Sequence, residues 1–523
     1  MTGATGEGHD GRTRVGSVAG KRRWGRGELR HGILGSSDAV AQSLALLALA
    51  FGVSAAPAAA AATAGAAVPW AYFIAGIGSL CLASVIVRFT RRIAHAGGLY
   101  AYTVRGLGPR TGFVAGWMYG MAFAIGISFV LIISADFLST VLASNTSVHL
   151  GWFPIYCILL GVILVLALVD IRVSTRVQLV FAVIGVLTIL ALALVIVAKG
   201  GAHGVTWRSL DPTLAPSTHG LFLAVVLAFT GFIGFEAAAV LGEEASEPLR
   251  VIPRAILGTV VVAMIYYVFV TWAMSIGYGV GGAAKWAADP TALSTLSVHY
   301  VGHWFSTLVD VVVAIDAFVA ALAGVQLTAR TLFAMGRDRG IPSVFASTTP
   351  RFKSPWVGIS AGVLLTFVLG VTLGRHYGVF TYFALMATTG SLGILFVYAL
   401  VALSGMVFFW KIRHRAGESY NVLLYVVLPV VAIAICAYTI YSTIHPEPPA
   451  PISYAIWIAL GLLGCAVVIV VGLVITHPER VARFGVAFEG EVHLEVAAGG
   501  DLDPESPSLI GAEPNSPGTP PHP

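Results

Sequence analysis

Apolar runs of about twenty residues recur along the 523-residue chain and constrain its fold more than any other feature. A helix of that length crosses a hydrocarbon core of about 30 Å. Inside a bilayer such a span must satisfy its own backbone hydrogen bonds, which favours helices. Only 11% of the residues are charged, against about 25% in soluble proteins. We predict an all-α polytopic membrane protein of about 12 transmembrane helices, near residues 40–63, 68–88, 112–143, 151–169, 176–198, 219–242, 253–278, 305–331, 355–374, 380–410, 420–443 and 453–476.

The distribution of Lys and Arg predicts the orientation, because cytoplasmic loops carry an excess of both residues. With the N-terminus inside, the basic residues that remain in outer loops are Lys199, Arg208, Lys285 and Arg375, out of 30 in the chain. We therefore expect a protein of the cell membrane with both termini cytoplasmic. The same bias accounts for the pI near 9.0, so the positive charge requires no nucleic-acid partner.

The two ends of the chain are polar. Residues 1–36 are predicted to form a basic cytoplasmic tail, and residues 478–523 an acidic, Pro-rich tail that is disordered because it has little apolar surface to bury. The basic start, with Arg22 and Arg23 before an alanine-rich stretch, is similar to an export signal. The apolar stretch continues for the length of a span, so we expect a retained first helix.

The sequence gives no sign of catalytic or metal chemistry. Cys81, Cys157, Cys436 and Cys465 all fall within predicted spans and far apart, which predicts neither a disulfide framework nor a metal cluster. No nucleophile and base, and no set of metal ligands, occur together. We expect no cofactor, no metal, no catalytic residues and no enzymatic activity.

Two of the spans are interrupted by helix-weakening residues. Span one reads "ALAFGVSAAPAAAAA", with Gly52 and Pro57, and span six reads "AFTGFIGFEAA", with Gly231 and Gly234. Transporters built from inverted repeats place their substrate at a pair of interrupted helices in corresponding positions of the two halves. Spans one and six are five apart, as a 5+5 inverted repeat requires.

Three sequence blocks resemble a known family. They are "RRIAHAGGLYAYTVRGLGPRTGFVAGW" after span two, "FIGFEAAAVLGEEASEPLRVIPRAI" in span six, and "TARTLFAMGRDRGIP" after span eight. In this order they are similar to the conserved blocks of the amino acid/polyamine/organocation (APC) superfamily of permeases, over about residues 36 to 412. The chain departs from the family pattern where Ala94 and His95 replace a usual proline, and where span one has Gly52 alone instead of a G-x-G pair.

The resemblance implies a fold and an activity. The fold is the leucine-transporter-like 5+5 inverted repeat, here residues 37–412, followed by two extra helices in residues 413–477. The activity is alternating-access transport of amino acids or related amines, often coupled to protons or run as exchange.

The two interruptions predict the substrate site. Pro57 suits the first turn of a helix, and the N–H groups before it would attract a carboxylate. The carbonyls that end the outer half of span six would attract an ammonium group, while its glycines leave room for the substrate and its phenylalanines shield it. A proline kink and close helix packing are the alternatives. The predicted substrate-binding residues are Gly52, Val53, Ser54, Ala55, Ala56, Phe229, Thr230, Gly231, Phe232 and Gly234.

Two carboxyls inside spans are candidates for coupling or gating: Glu236 and Asp316. A charged group in the membrane costs about 2.5 kcal/mol or more unless it has a partner, and desolvation favours its neutral form. Either residue can then bind a proton in one state and release it in another. For Glu236 the alternative is a permanently hydrogen-bonded strut between spans.

Charged residues are also predicted at the inner ends of spans six and eight. Arg330, Arg337, Asp338 and Arg339 are predicted to form a gate or to pin a loop, with a solvated loop as the alternative. Glu243, Glu244 and Glu247 are expected to be solvated.

We predict a secondary active transporter of amino acids or small amines, with the proton as the possible coupling ion and a monomeric or homodimeric state in the bilayer. Small and aromatic pocket walls favour a neutral substrate. A polyamine or cationic amino acid recognised by Glu236 and Asp316 is the alternative, as is a membrane sensor that binds without transporting. No sodium site is expected, because Ala321, Gly324 and Val325 of span eight carry no hydroxyls.

Overall fold

The computed structural model describes residues 28–54, 56–169, 171–413, 421–445 and 447–478. Across these ranges the chain is helical, with one isolated β-bridge between Leu34 and Ala245. The α-helices are α1 Ser36–Leu47, α2 Leu49–Gly52, α3 Ala56–Ala64, α4 Val68–Thr90, α5 Leu99–Leu107, α6 Pro109–Asn145, α7 Trp152–Leu168, α8 Ile171–Ala198, α9 Thr218–Thr230, α10 Pro248–Tyr278, α11 Ala283–Ala287, α12 Ala292–Tyr300, α13 His303–Arg337, α14 Trp356–Leu369, α15 Arg375–Tyr377, α16 Val379–Ile412, α17 Leu428–Ile444 and α18 Tyr454–Thr476.

The length and hydropathy of these helices confirm the predicted membrane fold. In the described part of the chain, nine helical segments are long and apolar enough to cross a membrane. The shorter apolar segments Ser36–Gly52, Trp152–Leu168 and Thr218–Thr230 correspond to predicted spans as well. The predicted tails, up to residue 27 and from residue 479, lie outside the described residues, as does the predicted site residue Ala55.

The centre of the bundle is formed by α6 and α13, which pack along each other, with α16 beside α6, while α10 packs along α4. The two last helices, α17 and α18, pack on the outside against α16, α4 and α6. Val468 and Ile475 of α18 are 71% and 74% exposed, as expected for apolar side chains that face lipid. The described residues at the two interruptions are, by contrast, buried or half-buried.

Local sequence signals explain where several helices begin. Gly108 takes a φ of +89° directly before Pro109, which opens α6 with a residue that has no N–H to satisfy. The side chain of Ser217 accepts a hydrogen bond from the Gly220 N–H at 2.9 Å and so caps α9. These signals fix where α6 and the interrupted span six begin.

The loops 91–98, 242–247 and 338–355 lie at one end of the bundle, and we call this end the basic face. The N–H of Ala96 donates to Glu243 Oε1 at 2.9 Å, and Glu243 also pairs with Arg337 at the end of α13. The connections between distant parts of the chain at this face are thus made by charged and polar groups.

Candidate functional site

Span one is interrupted at two places. Ala48 takes a left-handed conformation, with φ +48°, and ends α1. The four-residue α2 follows, and α3 begins at Ala56. The predicted interruption at Gly52–Ala56 is therefore present, and it is preceded by a second one that glycine and proline spacing did not indicate.

Asp316 of α13 holds this interrupted segment. Its Oδ2 accepts hydrogen bonds from the N–H groups of Ala50 and Phe51 at 2.9 and 3.0 Å. These amides lie at the start of α2 and have no partner within it, so the carboxyl acts as a cap. Asp316 thus lies at the first interruption, and it contacts backbone there.

Span six is interrupted from Gly231 to Glu236. The helix α9 ends at Thr230, and the chain resumes as a 3₁₀ turn over Ala237–Leu241. Gly234 has a φ of +105°, and a Cβ at this position would lie 2.8 Å from the side chain of Leu46. Glycine is needed at 234 both for the conformation and for the approach of α1.

The carbonyls that end α9 are engaged by tight turns. The oxygens of Ala228, Phe229 and Thr230 accept from the N–H groups of the residues three positions later, at 3.0 to 3.2 Å. Each carbonyl has two lone pairs, so one remains for a ligand. A substrate ammonium group can therefore still bind at this helix end, as predicted. Each carbonyl offers it one lone pair, because the other is used in a turn.

Most of the predicted binding residues lie around these two interruptions. Val53, Ser54, Phe229, Phe232 and Gly234 are buried, while Gly52, Ala56, Thr230 and Gly231 are half-buried. The Ser54 and Thr230 hydroxyls donate to carbonyls of their own segments, those of Phe51 and Leu227, both at 2.7 Å. The walls that remain for a substrate are small and aromatic.

Tyr267 of α10 contacts both interruptions, and the sequence analysis did not identify it. Its hydroxyl donates to the Gly231 carbonyl at 2.9 Å and lies 2.7 Å from the position that a Cβ of Gly52 would occupy. The signal available in the sequence was the pair Tyr266 and Tyr267 in an otherwise apolar span, because buried hydroxyls usually have a partner.

Glu236 is fully buried directly after the second interruption. Its Oε2 accepts from the Tyr398 hydroxyl at 2.6 Å, and its Oε1 accepts from the Tyr119 hydroxyl at 3.2 Å. Tyr398 belongs to α16 and Tyr119 to α6, and the Tyr398 hydroxyl also accepts from the Gly234 N–H at 3.3 Å. The carboxyl thus connects the interrupted span to two helices.

The basic face contains a buried cluster around Glu243. Arg337 donates to both of its carboxylate oxygens, at 2.7 and 2.8 Å. The Arg337 Nη2 also lies 2.6 Å from His95 Nε2, and the Gly97 N–H donates to His95 Nδ1 at 2.9 Å. His95 is 1% exposed, so its ring is buried within the basic face.

Burial lowers the pKa of His95 to about 3, an effect that Glu243 opposes and that Arg337 and Arg105 reinforce. Burial by itself would raise the pKa of Glu243, but the neighbouring His95 and Arg337, with hydrogen bonds from Arg337 and from the Ala96 N–H, hold it below its ordinary value. The cluster is therefore a neutral imidazole beside an ionised carboxylate and guanidinium pair.

A second buried pair lies next to this cluster. Arg330 donates to Glu244 through Nε at 2.5 Å and through Nη2 at 3.1 Å, and both side chains are 4% exposed. The prediction that Glu243 and Glu244 are solvated is wrong, because the arginines of α13 pair with them. Glu247 is exposed as predicted, in a pair with Arg250.

Three of the four residues predicted to form a network at the end of α13, Arg330, Arg337 and Asp338, do make such contacts, whereas Arg339 is exposed. Besides the two arginine pairs, Tyr100 donates to Asp338 Oδ2 at 2.8 Å. The backbone carbonyl of Glu244 accepts from the N–H groups of Ile33 and Leu34, both at 2.9 Å. The network therefore joins the segment before α1 to the loop after span six.

The chain matches the family model described as "Amino acid permease" over residues 36–473. An uncharacterised transporter of Mycobacterium tuberculosis is 28% identical over 365 residues, which are 67% of this chain and 78% of that protein. The branched-chain amino acid permease BcaP of Bacillus subtilis is 23% identical over 422 residues, covering 77% and 85%. The low-affinity putrescine importer PlaP of Escherichia coli is 25% identical over 414 residues, covering 77% and 86%.

Proposed function

Because this chain belongs to the amino acid permease family and is a multi-pass secondary transporter of amino acids or related amines, we propose that it carries a neutral amino acid. The transport is by alternating access across the cell membrane, with the proton as the coupling ion. The substrate lies between the two interruptions, with its carboxylate at the start of α3 and its ammonium group at the end of α9.

The observation that supports a neutral substrate is that both carboxyls near the interruptions already accept hydrogen bonds from the protein. Asp316 accepts two backbone N–H groups, and Glu236 accepts two tyrosine hydroxyls. A diamine or a cationic side chain needs a second carboxylate partner, and taking one of these would leave buried donors without acceptors. The branched-chain permease among the relatives agrees with this choice, and the putrescine importer represents the alternative.

Glu236 is our candidate for the proton-binding residue. It is fully buried, and it lies on the interrupted span beside the proposed site. Its two tyrosine partners belong to different helices, so a relative movement of α6 and α16 changes its hydrogen bonds. A carboxyl whose partners change between states can bind and release a proton in each transport cycle.

The basic face is proposed to be cytoplasmic, because Lys and Arg are enriched in cytoplasmic loops. The residues between this face and the interruptions, among them Leu34 and Leu241, are fully buried. Phe51, Gly52, Thr230 and Gly231 remain half-buried. These burials support a state that is closed toward the cytoplasm.

Uptake into proteoliposomes tests the proposal. Labelled leucine, serine, arginine and putrescine are offered separately, with an inwardly directed proton gradient. Accumulation of leucine or serine above equilibrium, abolished by a protonophore, is the expected result. Accumulation of putrescine or arginine alone would overturn the choice of substrate, and binding without accumulation would indicate a sensor.

Gly231→Leu tests the location of the site. A Cβ at 231 would lie 3.2 Å from the Ala228 carbonyl oxygen and 3.9 Å from the Tyr267 ring, so the leucine side chain must displace the interrupted segment. We expect uptake to be abolished while insertion is kept. Gly258→Leu is the control, because a Cβ there meets no atom within 4 Å. Normal uptake by the Gly231 variant would place the site elsewhere.

A further inference from the structure

The hydroxyl of Tyr267 lies between the two interrupted spans and touches both. It donates to the carbonyl of Gly231, the first residue after α9, at 2.9 Å. The atoms nearest to a Cβ built on Gly52 are its Oη at 2.7 Å, its Cζ at 3.4 Å and its Cε1 at 3.5 Å. One phenol group therefore separates Gly52 from Gly231.

The Tyr267 ring is held in place by other aromatic rings. It packs edge-to-face on Phe232 at a centroid distance of 5.1 Å, and it lies 5.3 Å from Tyr72. The residue is 0% exposed. Because the ring is buried among these neighbours, a side chain added at position 52 must displace either the Tyr267 hydroxyl or the interrupted segment of span one.

This contact explains why residue 52 is a glycine. A Cβ closer than about 3 Å to an oxygen is strongly repulsive, so alanine at 52 overlaps with the hydroxyl. The small residue at 52 thus makes room for a protein group, and the substrate space on this side ends at the Tyr267 hydroxyl. The hydroxyl also fixes the Gly231 carbonyl at the negative end of α9, and it uses one of the two lone pairs of that oxygen.

We infer that Tyr267 is a positioning residue for transport, which sets the relative placement of the two interruptions through its hydroxyl. The inference rests on the proposed binding of substrate between these interruptions. If so, Gly52 and Tyr267 are energetically coupled, and the effect of a substitution at one of them on substrate affinity depends on the residue at the other.

The test is a double-mutant cycle on labelled leucine uptake, or on whichever substrate the wild-type protein accumulates. In Tyr267→Phe the hydrogen bond to Gly231 is lost, and we expect KM to rise about three- to ten-fold with the maximal rate within about two-fold, as for one buried hydrogen bond. In Gly52→Ala we expect a loss of transport efficiency of about ten-fold or more. In the double variant the hydroxyl is absent, so Gly52→Ala should cost at least about three-fold less than it does in the wild-type background.

Tyr72→Phe is the matched control. It removes a hydroxyl from the same group of rings, but Tyr72 is not among the nearest neighbours of Gly52. Combined with Gly52→Ala it should give no rescue. Additive effects in the Tyr267 cycle, or equal rescue by both phenylalanine variants, would overturn the inference.

Membrane insertion and thermal stability are measured for every variant. If Tyr267→Phe does not insert, Gly52→Ala is compared with Gly258→Ala, which has open space around it. A KM increase confined to Gly52→Ala supports the inference, and an unchanged KM overturns it. Failure of wild-type protein to transport would contradict the proposed function instead, so the two failures are distinguishable.

Discussion

At the scale of single residues, Glu236 carries the proposed coupling, and its geometry allows a sharp test. In Glu236→Gln the amide oxygen can accept from Tyr398, and the amide nitrogen can donate to the oxygen of Tyr119. The shape and both contacts are kept, while titration is lost. We expect uptake against a gradient to be abolished and exchange at zero proton gradient to persist.

The two assays on Glu236→Gln separate three roles of the carboxyl. Selective loss of accumulation indicates proton coupling. Loss of neither activity indicates that Glu236 is a strut, for which glutamine serves as well. Loss of both indicates a requirement in binding or folding, and Asp316 would then be the next candidate for the proton.

From the burial of His95 we expect the closed arrangement of the basic face to depend on the pH on that side of the membrane. Burial lowers its pKa to about 3, against about 6.5 for an exposed histidine. A lowered histidine pKa means that the closed arrangement is favoured above pH 6.5 and is weakened as the pH falls below it. For each unit by which the pH falls below 6.5, the population of the closed state relative to the open state decreases by up to about ten-fold, until the pH approaches 3.

The protein is reconstituted into proteoliposomes with its basic face toward the lumen. Exchange activity, or opening of the basic face, is then measured as a function of luminal pH. His95→Asn keeps an acceptor near the Gly97 N–H and does not titrate, so its profile between pH 5 and 7 should be flatter. The same slope in the wild type and in the variant would show that another group is responsible.

At the scale of elements, Arg330 near the end of α13 forms an ion pair with Glu244 in the segment between span six and α10. Glu244→Gln leaves Arg330 buried without its carboxylate, and a buried pair broken on one side costs about 3–5 kcal/mol. We expect a clear fall in melting temperature and faster opening of the basic face. Glu247→Gln, which breaks an exposed pair, is the control and should cost less than about 1 kcal/mol.

A charge exchange checks the cause of this loss. Glu244→Arg combined with Arg330→Glu restores a pair of opposite charges in reversed order, and we expect part of the stability to return. Equal melting temperatures for Glu244→Gln and Glu247→Gln would contradict a structural role of the buried pair.

The elements themselves were largely predictable from the sequence, because each span is a continuous apolar run. The interruptions at Gly52 and at Gly231–Gly234 were also predicted from glycine and proline spacing. The first interruption at Ala48 was not, since the cap that holds the following amides is Asp316 of α13, far away along the chain. Local signals do not contain such a contact.

The same limit explains the error at Glu243 and Glu244. Carboxylates just after an apolar span are usually solvated, and their sequence neighbours contain no cation that reaches them. Their partners, Arg337 and Arg330, come from a span about ninety residues later. Tyr267 was missed for a related reason. Its proposed role depends on contacts with Gly52 and Gly231, which lie far from it along the chain.

At the scale of the whole molecule, Glu243 and Glu244 of the basic face are buried, whereas Gly52, Thr230 and Gly231 at the interruptions are half-buried. The contacts that close the basic face are ion pairs and hydrogen bonds, whereas α6 packs on α13 and α16, and α10 packs on α4, through extensive apolar contacts. When the face opens, ion pairs and hydrogen bonds can be replaced by hydrogen bonds to water. An opening of this face therefore requires less rearrangement than a change within the central helices.

The lysines of the chain provide a test of orientation without any mutation. Lys285 and Lys353 are both exposed, and they lie at opposite ends of α13, which runs from His303 to Arg337. If the basic face is cytoplasmic, a membrane-impermeant amine reagent added to intact cells should label Lys285. Lys353, and likewise Lys411 at the end of α16, should be labelled only after permeabilisation. Peptide mapping by mass spectrometry gives the labelled fraction at each site, and Lys285 and Lys353 act as controls for each other. Labelling of Lys353 with protection of Lys285 would reverse the assignment, and with it the direction in which the closed face of the transporter points.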